Sequence, residues 1–262
     1  MFASPRHNEE TPRVNWLDKL RGQRPKTPVL ATIELPPPDP DAPPVRLYGD
    51  QPMRKAWAED VLRGEGVPIN PHLPVIESEA EVALRAPREV AERLLALTLV
   101  AAKGVDFPQD EFLELVAERG ALPLFTDRER AFVLDPAPST HDRVQFSWRY
   151  EAAWALLWPL GHVDGVLGPP REPCDVDHLV DVIRDTPDLD DLAAKGLRRA
   201  NDVLCETDLI YRYHWAVRQA GIDGKDPPAG LHGGVTMERH QALNWLIGYG
   251  ERADWEEVGT DT

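Results

Sequence analysis

The chain has 262 residues, of which 42% are hydrophobic and 28% charged, the make-up of a soluble globular protein long enough for one large domain or two small ones. Its net charge of -16 argues against a nucleic-acid binder, because phosphate contacts need a basic face. No apolar run approaches the roughly 20 residues of a membrane-spanning helix, and the cysteines, Cys174 and Cys205, are too few for a disulfide framework and fit a reducing compartment.

Residues 1–10 lack the apolar core of a secretory leader and include Glu9 and Glu10, so a cytoplasmic location is expected. Charge is unevenly spread: residues 1–28 hold six bases against three acids, and residues 29–262 hold 23 bases against 42 acids. An acidic body of this kind suits solubility, or a basic protein as partner; neither nucleic acid nor membrane is expected. Residues 1–52 read as an extended, proline-rich, partly disordered segment. The run P-P-P-D-P-D-A-P-P at 36–44 can form neither a helix interior nor a central strand, and reads as a spacer. Val29, Ala31, Ile33 and Leu35 alternate, which admits one short strand that 43–48 could pair with.

From residue 53 the pattern turns helical. Residues 53–262 are expected to form an all-α, irregular multi-helix domain. Ala56, Trp57, Val61 and Leu62 predict a helix over 54–64 that stops at Gly64. Prolines forbid a helix at 67–76, V-P-I-N-P-H-L-P-V-I, yet Val67, Ile69, Leu73, Val75 and Ile76 make it apolar, so it should lie along the helices as a strap. Helices follow over 87–103, opening on Pro87, and over 109–119, stopping at Gly120. Thr126 and Glu129 form a capping box for a helix to about residue 134. Ser139 or Thr140 caps a helix expected to continue to about residue 160, and Asp175 caps the next. Residues 188–219 read as one long helix or two abutting ones. Residues 235–249 form the helix around which the chain seems organised; the apolar residues of its second half keep to no single stripe, so it should be buried on nearly every side.

Certain polar residues sit on stripes that are otherwise apolar. Glu151 shares a face with Trp148, Trp154, Ala155 and Trp158; Asp208 with Leu204, Tyr211 and Trp215; His214 with Ile210 and Val217; Asn244 lies in the most apolar part of the last helix. A charge buried alone costs several kcal/mol, so these groups must be paired if they are buried. Arg149, Arg212, Arg218, Arg239 and His240 are the nearby candidates. The expectation is a shared polar network of Arg149, Glu151, Asp208, Arg212, His214, Glu238, Arg239, His240 and Asn244 where helices 140–160, 197–219 and 235–249 meet. Such a network either fixes helix register or lines a pocket in which Glu151, Asp208, His214, Glu238 and His240 serve as acid/base groups or metal ligands.

Complete motifs are missing. There is no H-E-x-x-H, E-x-x-H or C-x-x-C, no G-x-S-x-G, no Walker A and no G-x-G-x-x-G. No metal and no cofactor is expected, and no catalytic residue is assigned. Gly230, Gly233 and Gly234 before Thr236 could offer amides to an anion, although glycine in a loop needs no ligand. Cys205 reads as a small core residue, and Trp148, Trp154, Trp158, Trp215 and Trp245 as core.

The stretches V-P-I-N-P-H-L-P-V-I-E-S-E-A-E, S-W-R-Y-E-A-A-W-A-L-L-W, D-L-I-Y-R-Y-H-W-A-V-R, E-R-H-Q-A-L-N-W-L and the final T-D-T resemble the bacterial domain-of-unknown-function family 4272, from about residue 53 onward. The resemblance implies a bacterial, soluble helical domain and carries no catalytic residue. A protein-binding or regulatory module with an acidic surface comes first among the readings, because no catalytic constellation is complete. A hydrolase-like enzyme with a Glu/Asp/His pocket and a helical scaffold are the alternatives.

Overall fold

The computed structural model describes residues 51–105 and 107–262. The spacer and the strand pair expected within 1–50 lie outside the described residues. Regular structure among the described residues is helical, without strands: α1 Gln51–Gly64, α2 Pro87–Gly104, α3 Gln109–Glu118, α4 Asp127–Leu134, α5 Thr140–Ser147, α6 Arg149–Leu157, α7 Val176–Asp185, α8 Leu189–Ala193, α9 Ala200–Ile222 and α10 Gly233–Ile247. None of these helices is long and apolar enough to cross a membrane. The all-α architecture is therefore as the sequence implied.

Local chemistry accounts for most helix starts. Pro87 opens α2 at a position whose N–H would lack a partner in any case. Thr126 and Glu129 cap α4 reciprocally: the Glu129 amide donates to Thr126 Oγ1 at 3.2 Å, and the Thr126 amide donates to Glu129 Oε2 at 3.0 Å. Ser139 accepts from the Asp142 amide at 3.1 Å and Asp175 from the His178 amide at 3.0 Å, so each holds a first-turn donor.

The core is layered by helix packing. α2 is buried along nearly its whole length through Leu94, Leu95, Leu97, Leu99 and Val100, and it packs on α5, α6 and α8. Ala152, Ala153 and Ala155 keep α6 slim, so that α2 and α10 can both approach it. α10 then packs on α9, and α9 on α1. α10 therefore has neighbours on opposite sides, and Ala242 to Ile247 are all buried.

Three sequence expectations change. The helix expected from 140 to about 160 is broken at Trp148 into α5 and α6. α2 ends against that point: a Cβ on Gly104 would lie 2.8 Å from both the Arg143 carbonyl oxygen and the Ser147 amide nitrogen. The Ser147 hydroxyl donates to the Val144 carbonyl at 2.8 Å, and the Glu151 amide to the Trp148 carbonyl at 3.0 Å, so the backbone tightens there. The helix over 188–219 is two separate pieces, with a left-handed Gly196 between them. Trp148, Trp154 and Trp215 are half-buried, whereas Trp158 and Trp245 are core.

The proline-rich strap runs over α1 and α9, with Val67 and Leu73 buried beneath it. Its carbonyls have no ladder to join, so side chains satisfy them. Gln51 Nε2 donates to the Ile76 carbonyl at 2.5 Å, Arg54 Nη2 to Glu77 at 2.6 Å, and Lys55 Nζ to Pro71 and Leu73 at 2.6 Å each. Arg212 Nη2 from α9 reaches the Pro74 carbonyl at 3.4 Å.

Gly104→Ala should lower the melting temperature, at a cost of about 1–3 kcal/mol, because the added methyl meets backbone rather than a movable side chain. Gly64→Ala, with nothing within 4 Å of its Cβ, should be neutral or slightly stabilising. Equal melts for the two variants would show that α2 does not meet the α5–α6 break at backbone distance.

Candidate functional site

Successive residues on a helix point about 100° apart, so Glu238, Arg239 and His240 on α10 face three directions and find three partners. Arg149 Nη1 on α6 donates to Glu238 Oε2 at 2.9 Å and to Gln241 Oε1 at 2.8 Å. Arg239 donates through Nε at 3.2 Å and Nη2 at 3.1 Å to Glu151 Oε2, while Glu151 Oε1 accepts from the Cys174 amide at 2.6 Å. His240 and His214 of α9 meet Nδ1 to Nδ1 at 2.8 Å, their rings edge to face. A turn further on, Asn244 Nδ2 donates to the Gly259 carbonyl at 2.9 Å.

Asp208 and Arg212 stand apart from these. They pair one turn apart on α9, Arg212 Nε to Asp208 Oδ2 at 3.0 Å and Nη2 to Oδ1 at 2.9 Å, facing the strap and Glu59 of α1. Arg218 is exposed and donates to Thr262 Oγ1 at 3.2 Å. The expected residues thus form separate buried pairs, not one shared network. Glu151, Asp208 and His214 each hold a different partner. Glu151 borders a largely apolar groove of about 430 Å³ with Trp148, Val176 and Val180, away from the imidazoles.

One buried acid escaped the sequence reading. Glu206 on α9 is 7% exposed and forms no ion pair. Burial pushes its carboxyl up to about 7, against the Leu167 amide that hydrogen-bonds to it and the charges of Arg239 and Arg198. Its signal was the stripe of Val203, Ile210 and Tyr213 on either side. Burial also raises the Cys205 thiol to about 11, and raises Cys174 further, so neither is poised as a nucleophile.

The imidazoles and the strap come together at a cleft of about 600 Å³. One wall is the strap, 73–77. The floor holds Tyr211 of α9 with His240 and Asn244 of α10, and the far wall is Tyr249, Asp261 and Thr262. Gly248, left-handed at φ 75°, turns the chain after α10 so that its last residues return over the helix. Arg85 secures that turn: it lies 4.3 Å over the Trp245 ring and donates to the Trp245 carbonyl at 2.9 Å and the Ala253 carbonyl at 2.7 Å. The Tyr249 hydroxyl meets Asp261 Oδ2 at 3.4 Å. Glu77, Glu81 and Asp261 line the cleft, and neither lysine nor arginine does. Burial lowers His214 to about 4, with Arg218 adding, and His240 to about 3, so both rings are neutral at physiological pH. Among the described residues, no group of three or more His, Cys, Asp or Glu side chains is placed to hold a metal ion.

The family model described as "Domain of unknown function (DUF4272)" matches residues 54–258. The chain belongs to the DUF4272 family. No curated protein and no solved structure matches it. Of the five stretches that carry the DUF4272 resemblance, four lend side chains to the cleft: Leu73 to Glu81 from the first, Tyr211, His240 with Asn244, and Asp261 with Thr262. The remaining stretch supplies Arg149 and Glu151, which hold α10 in place from behind.

Asp208→Ala in this DUF4272 domain should cost about 3–5 kcal/mol in urea unfolding, because Arg212 is left charged in a buried place. A melt unchanged from the parent would mean that Arg212 finds water. The histidine pair makes a second prediction. Its folded-state values lie below the ordinary 6.5, so the unfolded chain takes protons first as pH falls. Its contribution is whole above about pH 6.5 and is lost progressively toward pH 4. Glu206 acts in the opposite sense: raised in the fold, it weakens stability as pH rises toward 7. Glu206→Gln should therefore be more stable than the parent at pH 8, by on the order of 1–3 kcal/mol, and should steepen the acid-side loss. A parent-like pH profile would place Glu206 in water.

Proposed function

We propose that this protein is a binding module that docks a basic partner, and that the cleft between the strap, α9, α10 and the returning residues 259–262 is its docking site. One observation carries the reading: every charged side chain lining the cleft is an acid, Glu77, Glu81 or Asp261, in a chain of net charge -16. Two imidazoles that burial keeps neutral add no opposing charge at the floor. Tyr211 and Tyr249 supply aromatic surface, whose ring faces attract cations. The volume of about 600 Å³ is that of a site for a small molecule or a few side chains of a partner.

A hydrolase-like reading would need acids and imidazole in one cleft. Glu151, Asp208 and His214 are each committed to a different partner, which weighs against it.

A dye-labelled peptide rich in arginine and lysine should bind the full chain with an affinity that falls as salt rises. Replacing Glu77, Glu81 and Asp261 together by Gln, Gln and Asn should weaken binding by about tenfold or more, ~1.4 kcal/mol. Fluorescence anisotropy reads both effects. Equal binding of an acidic peptide of the same length, or an unchanged triple variant, would overturn the proposal.

A further inference from the structure

Resting on the cation-docking reading, we infer that the group the cleft accepts is a guanidinium, as on an arginine side chain, held at the floor by His240 and Asn244 and at the wall by Asp261. His214 is a positioning residue: it sets which nitrogen of His240 is free to accept.

The inference follows from which polar atoms are already committed. His240 lines the cleft, is 1% exposed, and spends Nδ1 on His214, so Nε2 is the ring nitrogen left for an occupant. Two neutral imidazoles joined Nδ1 to Nδ1 must be opposite tautomers, since one donates and the other accepts. When His240 donates, its Nε2 carries a bare lone pair. When His214 donates, the same nitrogen carries a proton. The floor therefore changes between acceptor and donor by a proton shift across 2.8 Å, with no change in charge, and a cationic donor selects the acceptor form.

The other side chains at the site agree. Asn244 turns Nδ2 to the Gly259 carbonyl, and Gln51 turns Nε2 to the Ile76 carbonyl, which leaves the amide oxygens Oδ1 and Oε1 uncommitted. Tyr249 gives its hydroxyl proton to Asp261 Oδ2, leaving Oδ1. Thr262 Oγ1 takes its hydrogen bond from Arg218. The cleft offers acceptors on several sides, and an anion or an acceptor-rich sugar would meet few donors there.

Among cations, a guanidinium fits better than an ammonium. It presents five N–H groups in one plane to acceptors spread around it, sheds water more readily, and stacks on aromatic rings. Tyr211 already carries the Arg212 guanidinium 5.7 Å from its centroid, which leaves Tyr249 as the ring for an incoming group. Leu73, Pro74, Val75 and Ile76 make an apolar wall along which the methylene stem can lie.

The test uses the full chain and three probes: the N-acetyl amides of arginine, of lysine, and of citrulline, the uncharged isostere of arginine. Calorimetry should give arginine at least about tenfold tighter binding than lysine, with no measurable binding of citrulline. Nitrogen-15 spectra of histidine-labelled protein should show His240 Nε2 moving to the acceptor tautomer as arginine is added. Asp261→Asn should weaken arginine about tenfold. His214→Phe removes the Nδ1 partner and should erase the preference for arginine over lysine; His214→Asn, which restores a partner, should recover part of it and keeps the test open if the phenylalanine variant fails to fold. Lysine binding as tightly as arginine at this site would overturn the guanidinium inference and leave the cation reading standing. Citrulline binding as tightly as arginine would overturn both. Absence of binding by all three probes, with the basic peptide still bound, would overturn this inference alone.

Discussion

α10 has no free side. It lies between α6 and α9, and the returning residues 253–262 close over its end. Water cannot serve its polar residues, so each must have a protein partner in place. Glu238 has Arg149, Arg239 has Glu151, His240 has His214, and Asn244 has the Gly259 carbonyl. These contacts run in different directions from one helix, and together they fix its rotation and its height against α6 and α9. A slip of one residue would leave a carboxylate and two cations buried alone, each at a cost comparable to the stability margin of a whole domain.

A second constraint concerns the backbone between helices. Loop carbonyls that lie against the core need donors, and arginine supplies many of them here. Arg198 gives Nε to the Trp158 carbonyl at 3.0 Å and Nη2 to the Val163 carbonyl at 2.6 Å, with its plane near the Trp158 ring. Arg85 does the same for 245 and 252–253, and Arg54 and Arg212 do so for the strap. The planar guanidinium suits this task because it donates along several directions while its face rests on an aromatic ring. The strap can therefore be irregular and still hold one position, which gives the cleft a fixed wall.

The candidate site joins these two constraints. The floor is the face of α10 that turns toward α9, the wall is the strap, and the third side is the chain returning after Gly248. His240 and Asn244 were singled out in the sequence because they were polar among apolar neighbours, and both line the cleft. Tyr211, Tyr249, Glu77 and Asp261 gave no such signal. Aromatic residues on an apolar stripe look like core, and acids in an acidic chain look like surface. Glu206 was open to the same stripe test as Asp208 and was passed over. Glu151 and Asp208 are buried polar residues with the same sequence signature as His240, yet they serve packing elsewhere.

Helix positions, their caps and the apolar strap were set by local chemistry: Pro87, the Thr126–Glu129 pair and Asp175 act on neighbours within a turn, so short stretches of sequence specify them. That polar residues on apolar stripes must be paired also followed from sequence, because the cost of an unpaired buried charge does not depend on the fold. Which pairs form did not follow. Residue 149 meets 238, 151 meets 239 and 214 meets 240 only because α6, α9 and α10 pack at particular rotations, and those rotations are decided by contacts between residues far apart in the chain. The same holds for the break at Trp148, which depends on Gly104 arriving there from α2, and for the cleft itself, whose walls come from opposite ends of the domain.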